Sequence, residues 1–184
     1  MKKPILMALA FLLLDGVAHA QNAPVADVAA GYSGFYVVKG FTFYANGGSG
    51  SVALNANRWL GFVGDFGAYR APSGLNNLTA ETYTFGPRFS YRHLDRLVPF
   101  AQLLVGGLHS SIVNTGFTNA SNSFAFAAGT GVDLGLDSGG RFALRSQLDY
   151  FGVRAKGSTL SNVRFSAGIV FRIGKGRSES GGGR

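Results

Sequence analysis

The sequence contains no cysteine, and only 14% of its 184 residues are charged. Without cysteine the chain can form no structural disulfide, no thiolate metal site and no lipoprotein anchor. The charged fraction lies well below the roughly 25% of typical soluble domains. Aromatic residues, at 13%, and 28 glycines are plentiful instead. Few charges together with many aromatic residues argue against a disordered chain.

A long apolar run is also missing. The best candidate, residues 4–14, is too short for a comfortable membrane-spanning helix. It follows Lys2 and Lys3 and precedes Ala18-His19-Ala20, the small-x-small pattern that signal peptidase cleaves. We therefore predict a cleaved signal peptide over residues 1–20, with an uncleaved anchor as the alternative. The remaining chain has the length of one domain.

The chain has a formal net charge of +8, yet no run of lysine or arginine forms a stripe that could follow a phosphate backbone. This excludes nucleic acid as the expected partner of an exported protein. Anionic lipid of an outer leaflet, such as lipopolysaccharide, is the expected partner instead.

No segment shows the periodicity of an amphipathic helix, whereas eight segments alternate between apolar and polar or very small residues. The last segment shows this best, because Phe165 and Phe171 share one face while Arg164 and Arg172 share the other. The eight predicted strands are residues 27–38, 49–56, 59–69, 82–92, 98–110, 124–135, 142–150 and 162–173.

Eight strands of about ten residues, each with one apolar face, predict an all-β, eight-stranded antiparallel up-and-down transmembrane β-barrel. A strand that crosses lipid must have every backbone group paired, and an even strand count permits closure. The connections after the first, third, fifth and seventh strands look longer than the others. They predict outside loops at residues 39–48, 70–78, 112–122 and 154–161, with both termini in the periplasm. The alternatives are a soluble β-sandwich and a soluble periplasmic carrier of lipophiles.

The two faces of the strands predict a polar lumen and a lipid-facing wall. An eight-stranded barrel is just wide enough for its own side chains, so the lumen charges predict a salt-bridged plug, with a gated proton or ion path as the alternative. Pro87 lacks a ladder N–H and predicts a bulge or a local gap in strand pairing. The predicted lumen residues are Asp65, Arg88, Gln102, Arg145, Asp149 and Arg164. The predicted lipid-facing residues are Phe85, Phe89, Phe126, Leu144, Leu148, Phe165, Ile169 and Phe171.

Four runs of sequence resemble the bacterial outer-membrane protein β-barrel domain family, which is similar to the membrane domain of outer-membrane protein A and to the small X-type barrels. These runs are residues 57–67, 84–92, 99–101 and 164–172. The resemblance implies a monomeric envelope protein whose biogenesis uses periplasmic chaperones and the barrel-assembly machinery. We expect either an envelope-structural role or a surface-interaction role for it. Two departures stand out: no peptidoglycan-binding domain follows the barrel, and a Gly/Ser-rich tail at 175–184, predicted to be disordered, follows the terminal aromatic strand.

One enzymatic hypothesis remains open beside this. His109 and Ser111 share a strand face, and a histidine beside a serine hydroxyl can activate it as a nucleophile. Outer-membrane lipid A deacylases carry such a pair on a similar barrel, and Glu81 on the neighbouring strand could orient the histidine. Histidine and serine are also ordinary polar residues at a membrane rim. We therefore expect no enzyme activity, no cofactor and no metal.

Overall fold

The computed structural model describes residues 23–37, 42–73, 76–94, 96–114, 117–155 and 158–174. The predicted signal peptide and the predicted tail lie outside the described residues. Within the described ranges, no helix is long and apolar enough to cross a membrane.

Eight antiparallel strands form one closed barrel. Each strand pairs with the next along the chain, and the last strand pairs with the first. The predicted fold class is confirmed. The strands are β1 (Ala26–Val37), β2 (Thr42–Asn55), β3 (Leu60–Ser73), β4 (Asn76–Ser90), β5 (Leu97–Asn114), β6 (Phe117–Gly135), β7 (Phe142–Ala155) and β8 (Ser158–Ile173).

Both described chain ends lie at one end of the barrel, called here the terminal end; the opposite end is the distal end. The prediction of longer connections at the distal end is wrong, because the strand bounds leave only two to four residues there and four to six at the terminal end. Most of the predicted loop residues belong to strands. The error has a simple cause: glycine, serine and asparagine continue the backbone ladder after the alternation of apolar side chains has ended.

The strand register determines the width of the barrel. The stagger can be counted by following paired positions once around the barrel. Starting at Phe35 on β1, the row passes Arg164, Gln102 and Asn55 and returns to β1 at Val25. The start and the end of the row differ by 10 residues along β1, which is the stagger of the barrel. With a strand spacing of about 4.7 Å and a rise of about 3.3 Å per residue, this stagger tilts the strands by about 40° and gives a backbone radius of about 8 Å. A barrel of this radius has an interior just wide enough for its own side chains to fill.

The pairing of β4 with β5 is interrupted at Gly86 and Pro87, while the register on either side of the interruption is the same. The predicted gap at Pro87 is confirmed, without a bulge. On its other edge β4 stays paired to β3 through both residues. A register shift lies elsewhere, between Phe35 and Tyr36 on β1.

The side chains inside the barrel form two layers. Toward the distal end the interior is an apolar cluster that includes Phe35, Tyr69, Leu104 and Phe151. Toward the terminal end it is filled with buried charged and polar side chains. Large apolar side chains instead cover the outside of the wall, including all eight residues predicted to face lipid. The polarity of this protein is therefore inverted relative to a soluble domain.

Candidate functional site

The buried charges in the middle of the barrel lie on one row of paired positions. Arg164 pairs with Asp149, which pairs with Gly129, then Gln102, then Arg88. Directly opposed residues of antiparallel strands hold their Cβ atoms about 5 Å apart. The register alone therefore places on one row residues that are up to 76 positions apart in the sequence.

These residues, together with Asp65, form the central cluster. The Arg164 guanidinium donates from Nη1 to Oδ1 of Asp65 at 2.6 Å and from Nε to Oδ2 of Asp149 at 2.9 Å. Gln102 donates to Oδ1 of Asp149 at 3.1 Å and accepts from Arg88 through its Oε1 at 2.8 Å and 3.1 Å. Because all five side chains are buried, each of these contacts forms in a low-dielectric interior where it is stronger than in water.

Gly129 makes the contact between Gln102 and Asp149 possible. It stands between them on the row, and a Cβ at this position would overlap Oδ1 of Asp149. The absence of a side chain thus lets the amide of Gln102 reach across one strand. Because glycine has no polar side chain, the sequence pattern did not identify Gly129 as a site residue.

A second group of charges, the mouth cluster, lies inside the barrel at its terminal end. Arg145 binds Asp133 with two hydrogen bonds of 2.7 Å and 2.8 Å. Arg92 contacts Asp27 at 2.5 Å, and Arg172 lies 3.7 Å from Asp133 and 4.0 Å from Asp27. The two carboxylates are thereby shared among three guanidinium groups.

The structure brings all six predicted lumen residues into the interior, five in the central cluster and Arg145 in the mouth cluster. The predicted set lacked the carboxylate partners of the mouth cluster, Asp27 and Asp133. Both stand on inner faces of their alternating strands, so the sequence held the signal. Arg172 points inward to the mouth cluster, with about 10% of its side chain exposed.

The two clusters contain one more guanidinium than carboxylate, five against four. Arg88 carries the excess. It is buried, and no carboxylate of the described residues lies within 4.0 Å of it. Its guanidinium lies 4.5 Å from the ring centre of Phe100, and that of Arg145 lies 4.8 Å from the same centre. Aromatic faces attract cations, so Phe100 offsets part of the cost of burying this charge.

Beyond the central cluster, three aromatic rings close the lumen and form the aromatic seal. Phe35 packs edge-on against Tyr69 at 4.7 Å and against Phe151 at 5.2 Å between ring centres. Small residues such as Ala53 and Ala125 fill the surrounding wall. The charged layer is therefore separated from the distal end by a mainly apolar layer, which also contains the buried side chains of Thr82 and Thr84 on β4.

The residues of the enzymatic hypothesis lie on the outside of the wall near the distal end. His109 is paired with Glu81 on β4 and with Asn122 on β6. Its Nδ1 lies 2.7 Å from Oδ1 of Asn122. Ser111 is two residues further along, opposite Thr79 and Ala120, and no hydrogen bond joins it to His109 in the described part of the chain. The described residues also contain no group of three His, Cys, Asp or Glu side chains placed to hold a metal ion.

Comparison with known proteins shows the fold alone. No family model matches the sequence, and no curated protein does. Among solved structures the chain is similar to Neisserial surface protein A, with a TM-score of 0.65 and 13% identity over 80% of this chain and 96% of that one. It is also similar to Ail, the attachment invasion locus protein of Yersinia pestis (TM-score 0.56, 18% identity, 81% and 99% covered). A third likeness is to the N-terminal β-barrel domain of Pseudomonas aeruginosa OprF (0.55, 14%, 83% and 100%). The resemblance to small outer-membrane barrels is confirmed at the level of the fold.

Proposed function

We propose that this protein is an integral outer-membrane β-barrel with a closed lumen, and that it acts at the cell surface through the strands that project from its distal end. The inverted polarity of the barrel carries the proposal. Buried ion pairs inside and an apolar wall outside are stable only where hydrocarbon surrounds the wall. Export by a signal peptide would bring the chain to that membrane.

The apolar wall has the height of a membrane. On β6 the outward residues from Phe124 to Leu134 span about 33 Å along the strand, which is about 25 Å along the barrel axis at the tilt given above. An apolar band about 25 Å tall is typical of outer-membrane barrels. Aromatic side chains flank it, with Trp59 and Phe171 near the terminal end and Tyr83 and Phe124 near the distal end.

The strands β5 and β6 continue past this band. β6 begins seven residues before Phe124, which adds about 23 Å of strand. The pairing of β6 with β7 starts at Phe124 and Arg154, so among the described residues the projecting part of β6 pairs with β5 alone. An unpaired strand edge is a template for another chain, and this ribbon carries uncharged polar residues such as Ser121 and Asn122. This geometry favours contact with a surface partner over a role in the membrane alone.

The proposal also includes lipid and assembly partners. Lipopolysaccharide would surround the distal half of the wall, and the monomer would reach the membrane with periplasmic chaperones and the barrel-assembly machinery. We propose no enzymatic role, because the histidine of the hypothetical pair contacts Asn122 instead of Ser111. A soluble carrier of lipophiles fits poorly, since charged side chains occupy the interior and apolar ones the outside.

Cysteine accessibility in cells tests location and orientation together. The chain has no cysteine, so Ser121→Cys on the projecting ribbon and Ser138→Cys in the β6–β7 turn each create a single exposed thiol. We expect a membrane-impermeant maleimide to label Ser121→Cys in intact cells and Ser138→Cys only after the outer membrane is permeabilised. The reverse pattern would refute the orientation. Recovery of both variants in the soluble periplasmic fraction would refute the membrane location.

A further inference from the structure

A groove runs along the outside of the barrel across β4 to β7. One row of outward-facing paired positions forms its floor and sides. The row runs from Phe89 on β4 through Ala101 on β5 and Thr130 on β6 to Leu148 on β7. Two small residues stand side by side between two large ones. In the next row the groove narrows to one small residue, Ala128, which pairs with Leu103 of β5 and with Tyr150 of β7.

The groove is apolar even at its one polar floor residue. The hydroxyl of Thr130 donates a hydrogen bond to the carbonyl oxygen of Phe100 at 3.0 Å, so its methyl group is what the groove presents. Ala101, Ala128 and the neighbouring large side chains supply the rest of the lining. An occupant of this groove must therefore be apolar and narrow.

The groove is closed at one end and open at the other. Toward the distal end it ends at Phe126, the next outward residue of β6, whose ring packs over Gly152 and lies 6.1 Å from the ring centre of Tyr150. Toward the terminal end it continues past Phe89 and opens beside Trp59, which stacks on Phe89 with ring centres 6.0 Å apart. From Pro99 to Leu103 the groove follows β5 for about 13 Å, which is about 10 Å along the barrel axis at the tilt given above and lies within the ~15 Å depth of one leaflet.

We infer that this groove is a binding site for one acyl chain of an anionic phospholipid of the periplasmic leaflet. The inference rests on the proposed membrane location. The chain enters at the terminal end, because the distal end is blocked, and its headgroup lies at the rim beside the indole of Trp59 and the turn that holds Arg96.

The charge of the rim identifies the headgroup as anionic. Arg58, Arg96 and Arg141 are exposed there. The acidic residue described at this rim outside the mouth cluster is Asp137, whose carboxylate accepts hydrogen bonds from the backbone N–H groups of Arg141 and Phe142. Asp95 belongs to the same turn as Arg96 but lies outside the described residues. Arginine near a membrane surface attracts anionic lipid, whereas a zwitterionic headgroup gains little from it.

Trp59 provides the test, because it is the only tryptophan of the chain and it lines the open end of the groove. The protein is reconstituted in phosphatidylcholine vesicles that contain a small fraction of brominated phosphatidylglycerol or brominated phosphatidylcholine, and quenching of tryptophan fluorescence is measured. We expect phosphatidylglycerol to occupy the site about fivefold more tightly at equal mole fraction, the preference that one surface arginine confers.

Three variants separate the site from general contact with lipid. The double variant Ala101→Leu with Ala128→Leu fills the groove and is expected to abolish the preference for phosphatidylglycerol. Arg96→Gln is expected to reduce this preference without abolishing quenching. Ala30→Leu, an outward-facing alanine on the opposite side of the barrel, is the matched control and is expected to keep it. Equal quenching by both lipids in the unmodified protein would overturn the inference, as would a preference that survives filling of the groove.

Two further measurements separate the lipid site from a protein interface and from a failure of the barrel to form. Native mass spectrometry that shows a dimer lost on filling the groove would assign the groove to a second copy of this chain and overturn the lipid site. Reconstituted protein that lacks heat-modifiable gel migration would overturn the proposed membrane barrel itself. Normal migration with equal quenching by the two lipids overturns the lipid site alone.

Discussion

Replacing Arg164 with methionine should destabilise the barrel more than any other single change in the lumen. Arg164 is fully buried and contacts Asp65 and Asp149, which are themselves 4% and 0% exposed. Methionine retains most of the apolar stem of arginine, so the change removes the charge and leaves the packing close to its original state. Two carboxylates then remain in the interior without their cation.

The size of the effect follows from that imbalance. Removing one partner of a buried ion pair costs about 3–5 kcal/mol, because the remaining charge keeps its desolvation penalty and loses its compensation. Here one cation serves two carboxylates, so we expect the upper part of this range. Converting both partners as well, in Arg164→Met with Asp65→Asn and Asp149→Asn, removes the two uncompensated carboxylates and should restore part of the lost stability, because Arg88 then remains as a buried cation in a cluster without carboxylates.

Equilibrium unfolding by urea in lipid vesicles, followed through Trp59 fluorescence and heat-modifiable gel migration, measures both variants. Leu148→Met on the lipid-facing wall is the control for a new methionine and should change the free energy of unfolding by less than about 1.5 kcal/mol. A loss below about 1 kcal/mol for Arg164→Met, or a triple variant less stable than the single one, would refute the ion-pair reasoning.

Four other predictions concern separate parts of the molecule. Gly129→Ala should lower the free energy of unfolding by about 1–3 kcal/mol, because its Cβ displaces the Asp149 carboxylate from Gln102. The control is Gly135→Ala, where no heavy atom lies closer than 3.4 Å to the added Cβ. This variant should leave the free energy of unfolding unchanged in the same urea titration. The backbone N–H of Phe142, and after it that of Arg141, holds the pKa of Asp137 below its usual 3.8. The stability that this residue contributes is thus present above about pH 4 and falls as the pH drops through its folded-state pKa, and Asp137→Asn should flatten the pH dependence of unfolding there. Planar-bilayer recordings should show no stable openings, because the aromatic seal blocks the lumen. Lipid A mass spectra from cells with Ser111→Ala should match those of the unmodified protein; altered acylation would revive the hydrolase hypothesis.

The alternation of side chains predicted the strands well because it records a physical requirement that each strand meets by itself. Every second residue of 162–173 points outward, so Phe165 and Phe171 lie on the apolar outer wall while Arg164 points inward. The pairing gap at Pro87 followed from a different local property, since proline lacks the backbone N–H that a sheet ladder needs. The alternation did not predict the distal ends of the strands, where polar and very small residues occupy both faces and composition no longer distinguishes strand from loop.

The sequence by itself determined the fold class, the closed barrel and the side of the wall on which each charge lies, because period-two alternation and strand count are local properties of the chain. Only the tertiary structure decided which charges meet. A one-residue change of register would move a side chain to the other face, and no local signal states that Arg164 lies opposite Asp149 or that Gly129 lets Gln102 reach past it. The aromatic seal and the outer groove have the same origin, since each joins residues from several strands whose relative height is set by the stagger of the whole barrel.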